Sequence, residues 1–169
     1  MMTTKGFEGK GLTCVYFFQG TEKAPALNSN LERNPLPITV TAACTLKDDS
    51  VLICRRAMNQ KLAGFWELPG GKVEEGESYA ECLARELFEE LGVETVVGSV
   101  VAESTHAYDS FTIRLVLLET TIVGGEITLS VHDRYEWVPV GELLHWKLAP
   151  ADIPLARRIV EIHSEGSCG

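Results

Sequence analysis

The sequence predicts an α/β fold in which a mixed β-sheet packs between helices. Three observations carry the expectation. One helix is strongly specified over residues 79–91, where Ser78 can cap it, Glu81 completes a Ser-x-x-Glu capping box, and Gly92 suits a left-handed stop. Several β-branched, apolar runs of strand length flank that helix on both sides. Strands and helices interleave without the strict alternation of a wholly parallel sheet, which points to mixed pairing.

Taken in order, residues 1–36 form an N-terminal extension rich in Gly, Asn, Pro and charge, and only residues 12–18, Leu-Thr-Cys-Val-Tyr-Phe-Phe, have strand composition. An accessory strand or dimer arm and a flexible tail are both open there. The folded domain is expected over residues 37–169, after Pro35 and Pro37. Ile38 to Leu46 and Val51 to Arg55 read as strands joined by the turn Lys47-Asp48-Asp49-Ser50, a hairpin by spacing. A polar loop from Ala57 to Gly64 leads into a short strand, Phe65-Trp66-Glu67-Leu68, and then Pro69-Gly70-Gly71. Within the helix, Ala80, Leu83, Ala84, Leu87, Phe88 and Leu91 make one apolar stripe at helical spacing. Beyond it, Thr95 to Ala102, Phe111 to Thr121, Ile127 to Ser130 and Tyr135 to Val140 are strand candidates, with Gly124-Gly125 as a hairpin-type turn. A short helix over Gly141 to Trp146 and a terminal one over Pro150 to Ser164 complete the chain, the latter with Leu155, Ile159 and Ile162 on its apolar face. Repeats and low-complexity tracts are absent.

The length of 169 residues suits one domain with a core that needs no disulfide or metal staple. A formal net charge of −9 argues against sequence-independent binding to a nucleic-acid polymer and against an anionic membrane surface. Five cysteines, Cys14, Cys44, Cys54, Cys82 and Cys168, are odd in number and lack CxxC spacing, so they read as reduced thiols in a cytoplasmic setting. No apolar run approaches the roughly 18 residues of a membrane span. The run over 12–18 is too short for a signal peptide and lacks a small-residue cleavage site.

Chemistry concentrates between Gly71 and Val93. Glu86, Glu89 and Glu90 stand at i, i+3 and i+4, which places their side chains on one face within reach of a common point. Clustered carboxylates repel unless something positive sits among them. Hard oxygen ligands in this pattern suit Mg²⁺ or Mn²⁺, which keep water and substrate phosphates in their remaining positions. A solvated acidic face explains the helix alone equally well. The preceding glycines, which let backbone approach a metal-phosphate assembly, favour the metal.

Gly71, then five residues, Glu77, seven residues, and Arg85-Glu86-Leu87-Phe88-Glu89-Glu90-Leu91-Gly92-Val93 resembles the complete signature of the Nudix hydrolases, with no position departing. The resemblance implies an α/β/α sandwich and hydrolysis of a nucleoside diphosphate linked to another group, here a nucleoside triphosphate giving the monophosphate and pyrophosphate. Glu86, Glu89 and Glu90 are then assigned as metal ligands, with the Gly70 carbonyl as a further candidate. Glu77 holds a metal-bound water or supports the loop, Arg85 orients a glutamate, and Glu86 is the first candidate for the base. Arg56 is a candidate phosphate clamp because a guanidinium binds phosphate oxygens in a fork; Lys72 is a weaker one. Substrate contacts are also expected at Gly71, Trp66 and Asp152.

One departure concerns metal binding. Relatives often carry another metal-binding glutamate about six residues before the tryptophan that matches Trp137, but Val131 stands there, and Asp133 is a possible substitute. His132 reads as a surface loop residue. Over roughly residues 38–163 the chain is similar to the MutT-like branch, which removes oxidised nucleotides such as 8-oxo-dGTP, and in which an Asn or Asp matching Asp152 reads the base edge. The string Leu148-Ala149-Pro150-Ala151-Asp152-Ile153-Pro154 also resembles CTP pyrophosphohydrolases, so CTP or dCTP is the alternative. ADP-ribose or dinucleoside polyphosphate hydrolysis, and a non-catalytic nucleotide-binding module, are further readings. A helix N-cap is the competing role for Asp152. A monomer or homodimer is expected.

Overall fold

The computed structural model describes residues 36–166; the expectations for residues 1–35, including the strand at 12–18 and Cys14, and for Cys168 lie outside them. Six strands, β1 (Ile38–Lys47), β2 (Ser50–Arg56), β3 (Trp66–Glu67), β4 (Glu94–Ala107), β5 (Thr112–Gly124) and β6 (His132–Pro139), combine with α1 (Tyr79–Leu91) and α2 (Ile153–Gly166). A 3₁₀ turn covers Val140–His145. The mixed sheet runs β3-β2-β1-β5-β4, with β6 on β2.

The expected hairpin forms with Leu46 opposite Val51 and Lys47 opposite Ser50. Asp48 and Asp49 both take left-handed backbone, φ 47° and 59°, as a two-residue turn that follows the strand twist requires, and Asp tolerates that conformation. Beyond this turn β1 pairs in parallel with β5, from Ile38 with Ile113 to Thr45 with Thr120. β2 pairs along its length with β6.

Alternation along the strands feeds two cores. Ala42, Cys44, Val51, Ile53, Leu115 and Leu117 face α2, where Leu155, Ala156 and Ile159 are buried. Ala43, Leu52, Cys54, Val116 and Leu118 face α1, where Leu83, Leu87 and Leu91 are buried. The helices therefore cover opposite faces of the sheet.

Three expectations need correction. Phe88 is exposed, because the buried stripe of α1 runs through Cys82, Leu83, Leu87 and Leu91, one position round from the expected centre. Ile127 to Ser130 is not a strand. Its amides go to the end of α1 instead: Thr128 N–H donates to the Leu91 carbonyl at 2.8 Å and Ser130 N–H to the Glu90 carbonyl at 3.0 Å. Those carbonyls would otherwise lack partners, so helix termination outcompetes sheet extension. Ile162, placed on the apolar face of the last helix, is 37% exposed.

Candidate active site

The segment from Trp66 to Val73 crosses between two parts of the sheet. It begins paired with β2, Trp66 opposite Arg55 and Glu67 opposite Cys54. It then moves to β1, where Ala43 N–H donates to Pro69 O at 2.9 Å, Thr41 N–H to Gly71 O at 2.8 Å, and Val73 N–H to Thr39 O at 3.0 Å. Gly70 is needed for this approach, since a Cβ there would sit 2.2 Å from the Thr41 carbonyl oxygen. At Gly71 the obstacle is functional, because a Cβ would lie 2.1 Å from Glu86 Cδ.

The segment delivers the chain to α1, whose capping box forms as expected: Glu81 N–H donates to Ser78 Oγ at 3.3 Å and Ser78 N–H to Glu81 Oε2 at 2.9 Å. Gly92 closes the helix at φ 69°. Arg85 organises the acidic face. Its Nε and Nη2 donate to the two Glu77 oxygens at 2.6 and 2.9 Å, its Nη1 to Glu86 at 3.0 Å and Glu89 at 3.3 Å, and Nη2 also to the Lys72 carbonyl at 3.3 Å. The guanidinium beside Glu77 holds that carboxyl down at about 2. Arg85 itself is raised, chiefly by the same bond.

Glu90 is turned elsewhere. Its Oε2 is buried without a hydrogen-bond partner and lies 4.0 Å from His132 Nδ1. Burial pushes its carboxyl up to about 7, with Glu86 and Glu67 adding to the effect and His132 opposing it. The expected convergence of Glu86, Glu89 and Glu90 is thus incomplete in these side-chain positions, and among the described residues no three His, Cys, Asp or Glu side chains surround one point. The donor set nevertheless fits a divalent cation. A buried, unpartnered carboxylate oxygen is costly alone and is relieved by a cation, and Glu86 and Glu89 now rest on a guanidinium in a cation's place.

A cleft of about 670 Å³ is lined among others by Arg56, Glu67, Gly70, Gly71, Tyr108 and Asp152, and Gly71 connects it to α1 by packing against Glu86. Arg56 lies in it, with Nη1 on Glu67 Oε2 at 2.5 Å and Nε on the Lys61 carbonyl at 2.7 Å. Asp152 is 5% exposed, and its Oδ1 accepts from Leu68 N–H at 3.0 Å. The competing N-cap role is not what this hydrogen bond serves. Burial raises its carboxyl to about 7.

Two expected contacts are placed away from the cleft lining. Trp66 is built into the core, its ring edge-on to Trp146 at 4.6 Å, and Lys72 is exposed, joined to Val40 through backbone pairing. Asp133, the suggested substitute ligand, binds Arg55 Nε at 2.7 Å on the surface, and the carbonyl of Val131 accepts from Gln60 at 2.9 Å.

Sequence reasoning missed Glu67, His132, Tyr108 and Phe111. His132 is no surface residue: β6 begins three residues earlier than expected, and the side chain is only 1% exposed. Glu67 carried a signal, a charge within an apolar strand before the glycines. Tyr108 and Phe111 stack at 4.9 Å in the turn between β4 and β5, and Tyr108 is raised by burial and then by Asp152.

A model of the NUDIX domain family matches residues 35–159. The chain belongs to the Nudix family. Among curated Nudix-like relatives, it is 36% identical over 127 residues to the CTP pyrophosphohydrolase of Escherichia coli K12, covering 75% of this chain and 94% of that one. It is 38% identical over 116 residues to the putative 8-oxo-dGTP diphosphatase 2 of Mycobacterium tuberculosis H37Rv, covering 67% and 81%. Of solved Nudix-type structures, the E. coli ORF135 protein superposes with a TM-score of 0.68 at 35% identity, over 76% of this chain and 91% of that one. The MutT protein of Methanosarcina mazei Go1 also reaches 0.68, at 28% identity, over 75% and 96%. Nudix hydrolases generally need a divalent metal ion. No helix among the described residues of this Nudix chain is long and apolar enough to cross a membrane.

Proposed function

We propose that this Nudix hydrolase cleaves a nucleoside triphosphate to the monophosphate and pyrophosphate with Mg²⁺ or Mn²⁺, acting on oxidised or non-canonical nucleotides such as 8-oxo-dGTP. The observation that carries the reading is one cleft that brings Gly70, Gly71 and Arg56 together with Asp152, with Gly71 packed against Glu86 of the acidic face of α1. Phosphates belong at the glycine end and a base at the Asp152 end.

Glu86, Glu89 and Glu90, with the Gly70 carbonyl, would hold the ion. When bound, it neutralises phosphate oxygens and makes a water more acidic. Arg85 keeps Glu77 and Glu86 fixed through three donated hydrogen bonds, and others reach Glu89 and the Lys72 carbonyl, so the acidic face is set before substrate arrives. Glu86 takes the proton as the water oxygen bonds to phosphorus and the bridging P–O bond breaks toward pyrophosphate. Arg56 would exchange part of its bond to Glu67 for phosphate oxygens. Asp152, buried and anchored by Leu68 N–H, reads the base edge, and the Tyr108–Phe111 pair offers a stacking wall.

CTP or dCTP is the second reading, favoured by the Leu-Ala-Pro-Ala-Asp-Ile-Pro string at the base end, which resembles the CTP pyrophosphohydrolases, and by the E. coli relative. The catalytic domain is assigned to residues 37–169, working as a monomer or homodimer on free nucleotides. Pyrophosphate release is to be measured with 8-oxo-dGTP, dGTP, CTP, dCTP, ADP-ribose and a dinucleoside polyphosphate, with and without Mg²⁺. Preference for 8-oxo-dGTP over dGTP supports the first reading, and preference for CTP or dCTP the second. Binding without turnover of any of them overturns both.

A further inference from the structure

Thr41 lies in β1, 1% exposed, on the strand face that Ala43 turns toward α1. A buried hydroxyl in such a place needs partners. Its Oγ1 donates to the Gly71 carbonyl at 3.2 Å and lies 3.4 Å from Cys82 Sγ, and the Cys82 thiol reaches the same carbonyl at 3.7 Å. The triangle needs only the hydroxyl and thiol protons. When the hydroxyl donates to the carbonyl, the thiol donates to the hydroxyl; when the thiol donates to the carbonyl, the hydroxyl donates to sulfur. In either arrangement the Gly71 oxygen has a second donor besides Thr41 N–H at 2.8 Å, so both its lone pairs are engaged. Gly70 and Gly71 in succession give the chain wide rotational freedom at this point, and these bonds remove it. The consequence reaches the acidic face. Gly71 is seated so close to Glu86 that a Cβ would lie 2.1 Å from its carboxyl carbon, and the next carbonyl, that of Lys72, accepts from Arg85 Nη2 at 3.3 Å.

We propose that Thr41 is a positioning residue whose hydroxyl, together with the Cys82 thiol, keeps the Gly71 carbonyl turned into the protein and so fixes the backbone against which the Glu86 carboxylate rests. The inference rests on the reading of Glu86 as proton acceptor and metal ligand. Thr41 acts through Gly71: rotation of the peptide between Gly71 and Lys72 would carry with it the seat of Glu86 and one anchor of Arg85. A displacement of about 1 Å in a reacting group costs about 100-fold in rate, so a fraction of that distance suffices for a loss of about tenfold. Stability is little affected by comparison, because without the hydroxyl the Gly71 carbonyl keeps the Thr41 N–H. Affinity for the nucleotide is kept as well, since Arg56 and Asp152 lie outside the triangle.

The test uses the full chain. Thr41→Val keeps the branched shape and removes the hydroxyl. At saturating Mg²⁺, kcat for the nucleotide cleaved fastest is expected to fall about tenfold with KM within about twofold, while Tm stays within about 4 °C of wild type. Thr41→Ser, which restores the hydroxyl, should bring kcat back to within about threefold of wild type. Without metal or substrate, the nuclear magnetic resonance signal of the Gly71 carbonyl carbon should move in Thr41→Val and return in Thr41→Ser, because that carbon senses the hydrogen bonds its oxygen accepts. Wild-type kcat in Thr41→Val, a loss that serine does not repair, or a Gly71 signal unmoved by valine would overturn the proposal. A fall in Tm with kcat intact would do the same and leave Thr41 a packing residue. If the valine variant does not fold, Cys82→Ala removes the other donor and should give a smaller loss of kcat with a shifted Gly71 signal; an unchanged kcat and signal there would overturn the proposal too. Failure of the hydrolase reading looks different: the wild-type chain would release no pyrophosphate from any nucleotide, while the Gly71 signal still moved in Thr41→Val.

Discussion

Gly70 and Gly71 are neighbours, yet replacing each by alanine should damage the protein in different ways. At Gly71 the added Cβ would lie 2.1 Å from Glu86 Cδ and 2.4 Å from both carboxylate oxygens. Carbon atoms rest about 3.5 Å apart or more, so the Glu86 carboxylate must retreat by about 1.4 Å. The end of a side chain can do so at about 1 kcal/mol, the cost of an off-rotamer torsion. A catalytic group displaced by about 1 Å commonly loses about 100-fold in rate. At Gly70 the obstacle is the Thr41 carbonyl oxygen at 2.2 Å and Ala42 Cα at 3.0 Å. That backbone cannot retreat, because β5 pairs with β1 at Thr41 and Ala42 from the other side. Overpacking against fixed backbone costs about 1–3 kcal/mol, and a φ of 155° adds strain for a residue with a side chain. Gly70→Ala should therefore lower Tm by roughly 5–10 °C at about 2–4 °C per kcal/mol. Gly71→Ala should keep Tm within about 4 °C of wild type while pyrophosphate release with Mg²⁺ falls about 100-fold. Wild-type turnover in Gly71→Ala, or equal loss of Tm in both, would refute the assignment of Gly71 as the space that Glu86 needs.

Three further outcomes follow from the same contacts. Asp152 has a folded-state pKa of about 7 against 3.8 ordinarily, so the native state binds more protons between these values, and its contribution to stability, full below about pH 4, is lost as pH rises through 7. Asp152→Asn cannot lose a proton, and thermal melts from pH 4 to 8 should show a flatter profile than wild type; parallel profiles would contradict the burial argument. Ser78→Ala removes one half of the capping box and should lower unfolding free energy by about 1 kcal/mol in urea titrations, with little change in turnover. Asp133→Ala should leave Mn²⁺ affinity unchanged, since its carboxylate is tied to Arg55 on the surface; weakened binding would restore it as a ligand.

Sequence made α1 legible to the residue because its signals are local: a capping box, a helical period and a left-handed glycine act within neighbouring turns. The β1–β2 turn was legible for the same reason. Ile127 to Ser130 was not, because its composition suits a strand while its partners are carbonyls at the end of a helix some 40 residues earlier. Phe88 misled in a similar way: periodicity gives an apolar arc, but the packing against β1, β2 and β5 decides its centre. In the candidate site, Glu86 could be read from spacing along one helix, while Glu77 and Arg85 came from the resemblance to the Nudix signature. Glu67 and His132 could not, since they meet across two strands that are 65 residues apart in sequence.

The position of the site follows from how the sheet is divided. β1 and β2 share only the pairs next to their turn, after which β1 continues beside β5 and β2 beside β6. The segment from Trp66 to Val73 fills the resulting gap, bound first to β2 and then to β1. Glu67 thus belongs to one part and Gly71 to the other, with Leu68 N–H between them directed at Asp152. On the proposed reading, a substrate lying across this gap would touch Arg56 from β2, the glycines held on β1, and Asp152 before α2, while α1 would supply carboxylates from the end of the same segment. Small relative shifts of β1 and β2 would change the distance between base and phosphate contacts more than they would disturb the acidic helix, which is held by its own cap and by Arg85. Substitutions on the β2 side, at Arg56 and Glu67, should accordingly alter nucleotide affinity and selectivity, whereas those on α1 should alter turnover for every nucleotide alike.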